Sequence, residues 1–297
     1  FDPALPNTFG AYGGANDQRV RGASVAAAVG AVGVLVRSMT LAEDDEPHTG
    51  AMRYQAGVKQ IPAAALGIMS ANKLSTALKS NPNLKVSFTL SCKTLPDAPS
   101  ASVMGEIVGY ERPEEVIVMG GHLDSWDLGR GAHDDGAGVT QSLEALRLLK
   151  KLNLRPKRTI RVVAFMNEEN GGRGAAAYAE RVRKSSEIAY AAMESDSGGF
   201  MPRAFGVTEA KFEAVKPWEE KLRVFGIERF TNGGGGADIA PLGPLGATLF
   251  GLQPENQRYF DYHHSRNDTI DKVNARELEF GAMAMAMLAW LISEEGL

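Results

Sequence analysis

The chain has 297 residues, 44% of them hydrophobic and 23% charged, with 33 glycines, so it can bury a sizeable core and carries no bias toward disorder or collagen-like repetition. A formal charge of -4 and the lack of any long Lys/Arg run exclude the electrostatic footprint that a nucleic acid or an anionic membrane surface would need. The single cysteine, Cys92, forms no internal disulfide and leaves the redox compartment open.

The chain opens at Phe1 with no charged region leading into an apolar one, which reads as a mature, processed or truncated product. The apolar run over residues 22–36 is too short to span a membrane and is interrupted by Gly30 and Gly33, which suits a helix over 22–29 followed by a strand over 31–37. A strand over 61–66 and a helix over 70–78 repeat that order and imply a small α/β module, with the acidic, polar stretch 42–54 as an exposed loop.

From residue 101 the pattern changes. Strands over 103–110 and 115–121 flank Glu111-Arg112-Pro113-Glu114, where Pro113 favours a tight turn, so a hairpin is expected. A helix over 139–152, a strand over 159–166, a helix over 174–184 and a strand over 188–193 follow. A glycine run, Gly233 to Gly236, precedes a strand over 248–252 and a final apolar helix over 275–292. This alternation predicts an α/β fold, a mixed, mainly parallel sheet with helices on both faces.

Sites in open α/β sheets gather where strands end. The strand before residue 120 exits into His122-Leu123-Asp124, an imidazole and a carboxylate two residues apart on one side of an extended segment. His133-Asp134-Asp135 then opens a helix, whose positive end tolerates anionic groups. Glu168-Glu169 and Glu194-Ser195-Asp196 follow two further strands, and Asp261-Tyr262-His263-His264 adds the last imidazoles. Singly each feature is weak, because a His-x-Asp at a strand end is ordinarily a hydrogen-bonded pair and adjacent acids are ordinarily a solvated helix start. Random acids and imidazoles would not all select strand exits, and zinc takes this mixture of imidazole nitrogen and carboxylate oxygen. Asp238, just after the glycine run, is read as a loop cap, with contact to a substrate amine as the alternative.

At Gly121-His122-Leu123-Asp124-Ser125-Trp126-Asp127, Gly131-Ala132-His133-Asp134-Asp135-Gly136, Asn167-Glu168-Glu169, Glu194-Ser195-Asp196 and His264-Ser265-Arg266-Asn267-Asp268-Thr269 the chain resembles the two-zinc exopeptidases of the aminopeptidase and carboxypeptidase Q group. The segments 21–36 and 61–64 are similar to the protease-associated insert domain of such enzymes. The resemblance implies a protease-associated domain over 1–100 and a zinc-peptidase catalytic domain over 101–297, the catalytic segment that precedes the insert being absent or on another chain.

It further implies two Zn²⁺ per chain, with His122 and Asp196 as terminal ligands of one, Glu169 and His264 of the other, and Asp134 as the bridge. His264 is chosen over the adjacent His263 because the family's last motif places the ligand four positions before an Asp-Thr pair, here Asp268-Thr269. Glu168 becomes the general base acting on a metal-bridging water, Asp124 orients the ring of His122, and a non-proline cis bond is implied between Asp134 and Asp135. His133 is not expected to ligate.

The activity expected is a zinc-dependent metallopeptidase, an exopeptidase of aminopeptidase, carboxypeptidase or dipeptidase type that hydrolyses terminal bonds of short peptides. The expected partners are a peptide or dipeptide substrate and a second copy in a homodimer, with no nucleic acid and no membrane. Secretion, or export to a periplasm, is what the resemblance implies. The competing readings are a one-zinc glutaminyl-peptide cyclotransferase on the same scaffold and a receptor-like relative that has lost catalysis. The retention of all five ligands and Glu168 speaks against the second of these.

Overall fold

The computed structural model describes residues 1–297 and divides into two units, Phe1–Pro99 with Gln257–Asn267, and Ser100–Asn256 with Asp268–Leu297.

In the first unit β1 (Val34–Arg37) and β2 (Ala63–Leu66) pair in parallel, with Val34 opposite Ala63. The helix Gly22–Ala28 precedes β1 and the helix Ile68–Ser80 follows β2, so the small α/β module has its expected order. The acidic loop is not idle. The carboxylate of Asp45 accepts from the main-chain N–H and the hydroxyl of Ser70 at 2.9 and 2.8 Å, which satisfies donors of the second helix's first turn. A Cβ at Gly67 would lie 2.4 Å from the main-chain carbon of Asp45, so this close approach requires glycine there. The segment Gln257–Asn267 is tied to the same unit by Gln257 Nε2 donating to Pro6 O at 2.7 Å and Asn267 Nδ2 donating to Asp44 Oδ2 at 2.9 Å. Its Tyr259 also stacks on Phe9.

The second unit is built on a seven-stranded sheet. Its strands are β3 (Val103–Ile107), β4 (Arg112–His122), β5 (Arg158–Phe165), β6 (Ile188–Glu194), β7 (Pro202–Val207), β8 (Arg229–Asn232) and β9 (Thr248–Pro254), in the order β3-β5-β4-β6-β9-β7-β8. The β5-β4, β4-β6, β6-β9 and β7-β8 pairs are parallel, while β3-β5 and β7-β9 are antiparallel. The sheet is therefore mixed and mainly parallel, as the alternation of elements predicts.

Strand periodicity divides the core. Ile117, Met119, Ile160, Val162 and Met193 point to one face, against the helices Gly136–Lys151 and Ala275–Glu295. Val116, Val118, Val163 and Phe165 point to the other, against the helix Arg173–Arg183. Each fully buried Ile or Phe contributes on the order of 1.5–3 kcal/mol by leaving water. The long helix starts where Asn274 accepts from the N–H groups of Arg276 and Glu277. No helix is long and apolar enough to cross a membrane.

The expected hairpin does not form. β3 pairs with β5, Val103 opposite Ala164, and β5 lies between β3 and β4. All of β5 is buried whereas β3 is largely exposed, so β5 needs a neighbour at each edge and β3 supplies the outer one. Pro113 is not in a turn but in the irregular entry of β4, where the register shifts and the missing N–H costs no regular ladder bond. β7 and β8 have no counterpart among the expected elements.

β4, β5 and β6 are parallel neighbours, with His122 level with Phe165 and Gly120 level with Glu194. Their C-terminal ends therefore open on one edge of the sheet, and the chain leaves each of them through a chemistry-bearing segment.

Candidate metal centre

β4 ends at His122, which is 1% exposed. Its Nδ1 lies 2.8 Å from the main-chain oxygen of Asp124; a proton donated there leaves Nε2 with the lone pair. That nitrogen is 3.3 Å from Asp134 Oδ1 and 3.6 Å from Asp196 Oδ1. One ligand atom from each of the three residues falls within 4.8 Å of the others. His122 Nε2 and Asp196 Oδ1 are both buried and neither is in hydrogen-bond geometry. Burial opposes a charged ring at His122, but the carboxylates of Asp134 and Asp196 outweigh it and hold the imidazole well above its ordinary pKa. A proton and a cation would thus compete for Nε2.

The loop that bears Asp134 is fixed from two sides. Asp268 accepts the main-chain N–H groups of His133 and Asp134 at 2.7 and 3.1 Å. Asp135 accepts from His122 N at 3.0 Å and, as the helix cap, from Gly138 N at 2.9 Å, which joins the end of β4 to the start of the next helix. A Cβ on Gly121 would lie 2.2 Å from Asp135 Oδ2, so glycine is needed for that junction. The Asp134-Asp135 peptide is cis.

Asp124 acts through both its main chain and its side chain. Its carbonyl receives the His122 ring, while its carboxylate, 3.9 Å from that ring, accepts from the N–H groups of Asn167, Glu168 and Glu169 at 2.7, 3.1 and 3.2 Å. Asp124 thus contacts the His122 ring through its carbonyl, and its carboxylate pins the turn after β5. Within that turn Glu169 Oε2 accepts from the indole N–H of Trp126 at 2.5 Å. Burial, reinforced by the charge of Asp196, pushes the Glu168 carboxyl up to about 7.

Asp196 follows β6, where Glu194 accepts from Ile239 N at 2.9 Å and Ser195 donates to Gln141 Oε1 at 2.6 Å. Asp238 is 1% exposed, and neither carboxylate oxygen accepts a hydrogen bond, so it is not the loop cap expected of it. Burial, with Asp196 nearby, pushes its carboxyl up to about 7. Its place two positions beyond the run Gly233 to Gly236 was the available signal. Asp135 and Asp268 stood in the family motifs without a role of their own, and here they hold backbone. His133 is buried, with Nδ1 accepting from Gly199 N at 3.1 Å and its ring stacked on Phe200 at 4.3 Å.

The second unit thus brings together His122, Asp134 and Asp196, with Glu168 and Glu169 held at the exit of the neighbouring β5. His264 belongs to the first unit. There it has φ 58, its ring stacks on His263 at 3.6 Å, and its Nδ1 lies 3.1 Å from Thr49 O.

An imidazole and two carboxylates that converge in a buried space, with His122 Nε2 and Asp196 Oδ1 outside any hydrogen bond, are costly unless a cation joins them. The donor set is that of zinc. A carboxyl poised near 7 beside it suits proton transfer at neutral pH.

Comparison with known proteins agrees in kind. The profile of peptidase family M28 matches residues 102–290. Carboxypeptidase Q of Mus musculus is 37% identical over 278 residues, which cover 93% of this chain and 59% of that protein. The chain therefore spans about three-fifths of the length of this relative. A crystal structure of a peptidase M28 precursor from Shewanella amazonensis SB2B superposes with a TM-score of 0.88 at 36% identity, covering 95% of this chain and 64% of that one. A zinc aminopeptidase from Bacillus subtilis shares the fold with a TM-score of 0.61 at 19% identity, covering 91% and 66% of the two chains.

Proposed function

The chain belongs to peptidase family M28, and from that premise we propose that it is a co-catalytic two-zinc exopeptidase that releases terminal residues from short peptides or dipeptides. The observation that carries the reading is the convergence of His122 Nε2, Asp134 Oδ1 and Asp196 Oδ1, two of these atoms buried and outside any hydrogen bond.

In this reading His122, Asp134, Asp196 and Glu169, with His264 included on its sequence motif, would hold the two zincs. When bound, the metals supply a Lewis acid for the scissile carbonyl and lower the pKa of the attacking water. The chain's own residues do the remainder. The Glu168 carboxylate takes a proton from that water and returns it to the departing amine, so that the amine leaves neutral. Asp124 holds Glu168 and Glu169 by their amides and, through its carbonyl, keeps His122 Nε2 as the ring's ligand atom. Asp268 keeps the backbone of Asp134 in place. Export from the cell fits the same reading.

The test is a zinc count on the purified protein beside a panel of dipeptides. Two zincs per chain with release of free amino acids is the expected result. One zinc with pyroglutamate formation would replace this reading by a cyclotransferase.

A further inference from the structure

In the first unit Thr49, a residue of the acidic loop, contacts both the main chain and the ring of His264. The N–H of Thr49 donates to His264 O at 3.0 Å, and the carbonyl of Thr49 lies 3.1 Å from His264 Nδ1. Main chain and ring are thus gripped by the same residue. The grip matters because His264 has φ 58, a conformation that a residue with a Cβ seldom adopts unless its surroundings hold it there.

Thr49 is held in turn. Arg19 Nη1 donates to the same Thr49 oxygen at 2.9 Å, and Arg19 Nη2 donates to the hydroxyl of Tyr12 at 2.6 Å. A carbonyl oxygen has two lone pairs, and here the guanidinium takes one while the ring N–H takes the other. The next residue, Gly50, has φ 146, and a Cβ there would stand 2.3 Å from Arg19 Cζ. The loop is therefore shaped to admit Arg19 at this carbonyl. Tyr12 also packs edge-on against His263, whose ring stacks on His264.

We propose that Arg19, acting through the carbonyl of Thr49, is the positioning residue of His264: it fixes the carbonyl that takes the Nδ1 proton and so leaves Nε2 as the ring atom available to a metal. The inference rests on the reading of His264 as a ligand. On this account Arg19 and Thr49 orient the ring of His264 before any metal is bound.

The experiment compares Arg19→Ala, Arg19→Lys, His264→Ala and wild type, each titrated with zinc against a chelator. Long-range proton–nitrogen NMR of the metal-free proteins reads the tautomer of His264. Outer partners of metal-binding histidines typically change metal affinity 10–100-fold, so Arg19→Ala is expected to weaken one of the two zincs by about 10-fold or more, with the other unchanged. Its His264 ring should lose its preference for the Nδ1-protonated form, and Arg19→Lys, which keeps one donor for Thr49 O, should restore part of both. Wild-type zinc affinity and an unchanged tautomer in Arg19→Ala, alongside zinc loss in His264→Ala, would overturn the role of Arg19 alone. Two zincs at wild-type affinity in His264→Ala would overturn the ligand assignment itself, and the present inference with it. Should Arg19→Ala not fold, Tyr12→Phe removes the far anchor of the guanidinium and is expected to move the tautomer in the same direction; no movement there would count against the proposal.

Discussion

Asp124 grips the turn that carries Glu168: its Oδ1 accepts the N–H of Glu168 at 3.1 Å and that of Asn167 at 2.7 Å. A residue two positions beyond the end of β4 thereby fixes the direction of a carboxylate that leaves β5. With Asp124→Ala, three amides lose their acceptor and Glu168 and Glu169 are no longer fixed in direction. Zinc affinity is expected to fall about 10–100-fold, the usual effect of losing an outer partner. Asp124→Asn keeps one oxygen and should fall between the two. Chelator competition on the purified variants measures the order.

In the proposed mechanism Glu168 is the group that moves a proton, whereas its neighbour Glu169 accepts from the indole N–H of Trp126. Glu168→Gln keeps the shape and removes the acceptor. Turnover of a good dipeptide should drop by about 100- to 10,000-fold while the zinc content stays that of wild type. Undiminished turnover would remove Glu168 from the mechanism.

Far from the site, Arg161 is buried between Glu187 and Glu106, donating to Glu187 at 2.9 and 2.8 Å and to Glu106 at 2.7 Å. Arg161, helped by Arg181 and opposed by partial burial, holds the Glu187 carboxyl at about 2, below its ordinary 4.5. A depressed acid stabilises the fold above its unfolded pKa, and that stabilisation is lost as pH falls through the folded value. Wild type should therefore lose stability between about 4.5 and 2 more steeply than Glu187→Gln, which has no proton to take up there. Urea unfolding at a series of pH values tests the difference, and parallel profiles would refute it.

Gly138 faces Ser195 so closely that a Cβ would lie 1.8 Å from that carbonyl oxygen, while Gly105 has nothing within 4 Å. Gly138→Ala must displace either the first turn of its helix or the segment carrying Asp196. A cost of about 1–3 kcal/mol or more in stability is expected, with weaker zinc binding. Gly105→Ala, on the exposed edge strand, should stay within about 0.5 kcal/mol of wild type. Thermal melts of the two variants separate crowding from a general cost of replacing glycine.

Much of this was legible in the sequence, and the reason is local. The apolar runs of β4, β5 and β6 and the helical spacing of residues 139–152 are periodic patterns that neighbouring residues write by themselves, and the strand exits could be searched for ligands without knowing which strands pair. His122, Asp134 and Asp196 were identified in that way with the help of the family motifs, and they meet at one edge of the sheet. A strand's partner is not local. Pro113 and a short loop favoured a hairpin, but β5, buried along its whole length, took β3 as its outer neighbour because burial of an apolar strand outweighs the convenience of a short connection.

Hydrogen-bond partners are equally invisible along the chain, since they depend on which atoms the fold brings within about 3 Å. That is why the three amides held by the Asp124 carboxylate were not foreseen, why Asp238 was taken for a cap, and why the burial that raises the Glu168 carboxyl had no sequence signal. The order of residues determined what kinds of side chain leave each strand. Only the packed sheet decided which of them are dry, which are paired and which face one another, because burial and distance are properties of the assembled layers and not of any one segment.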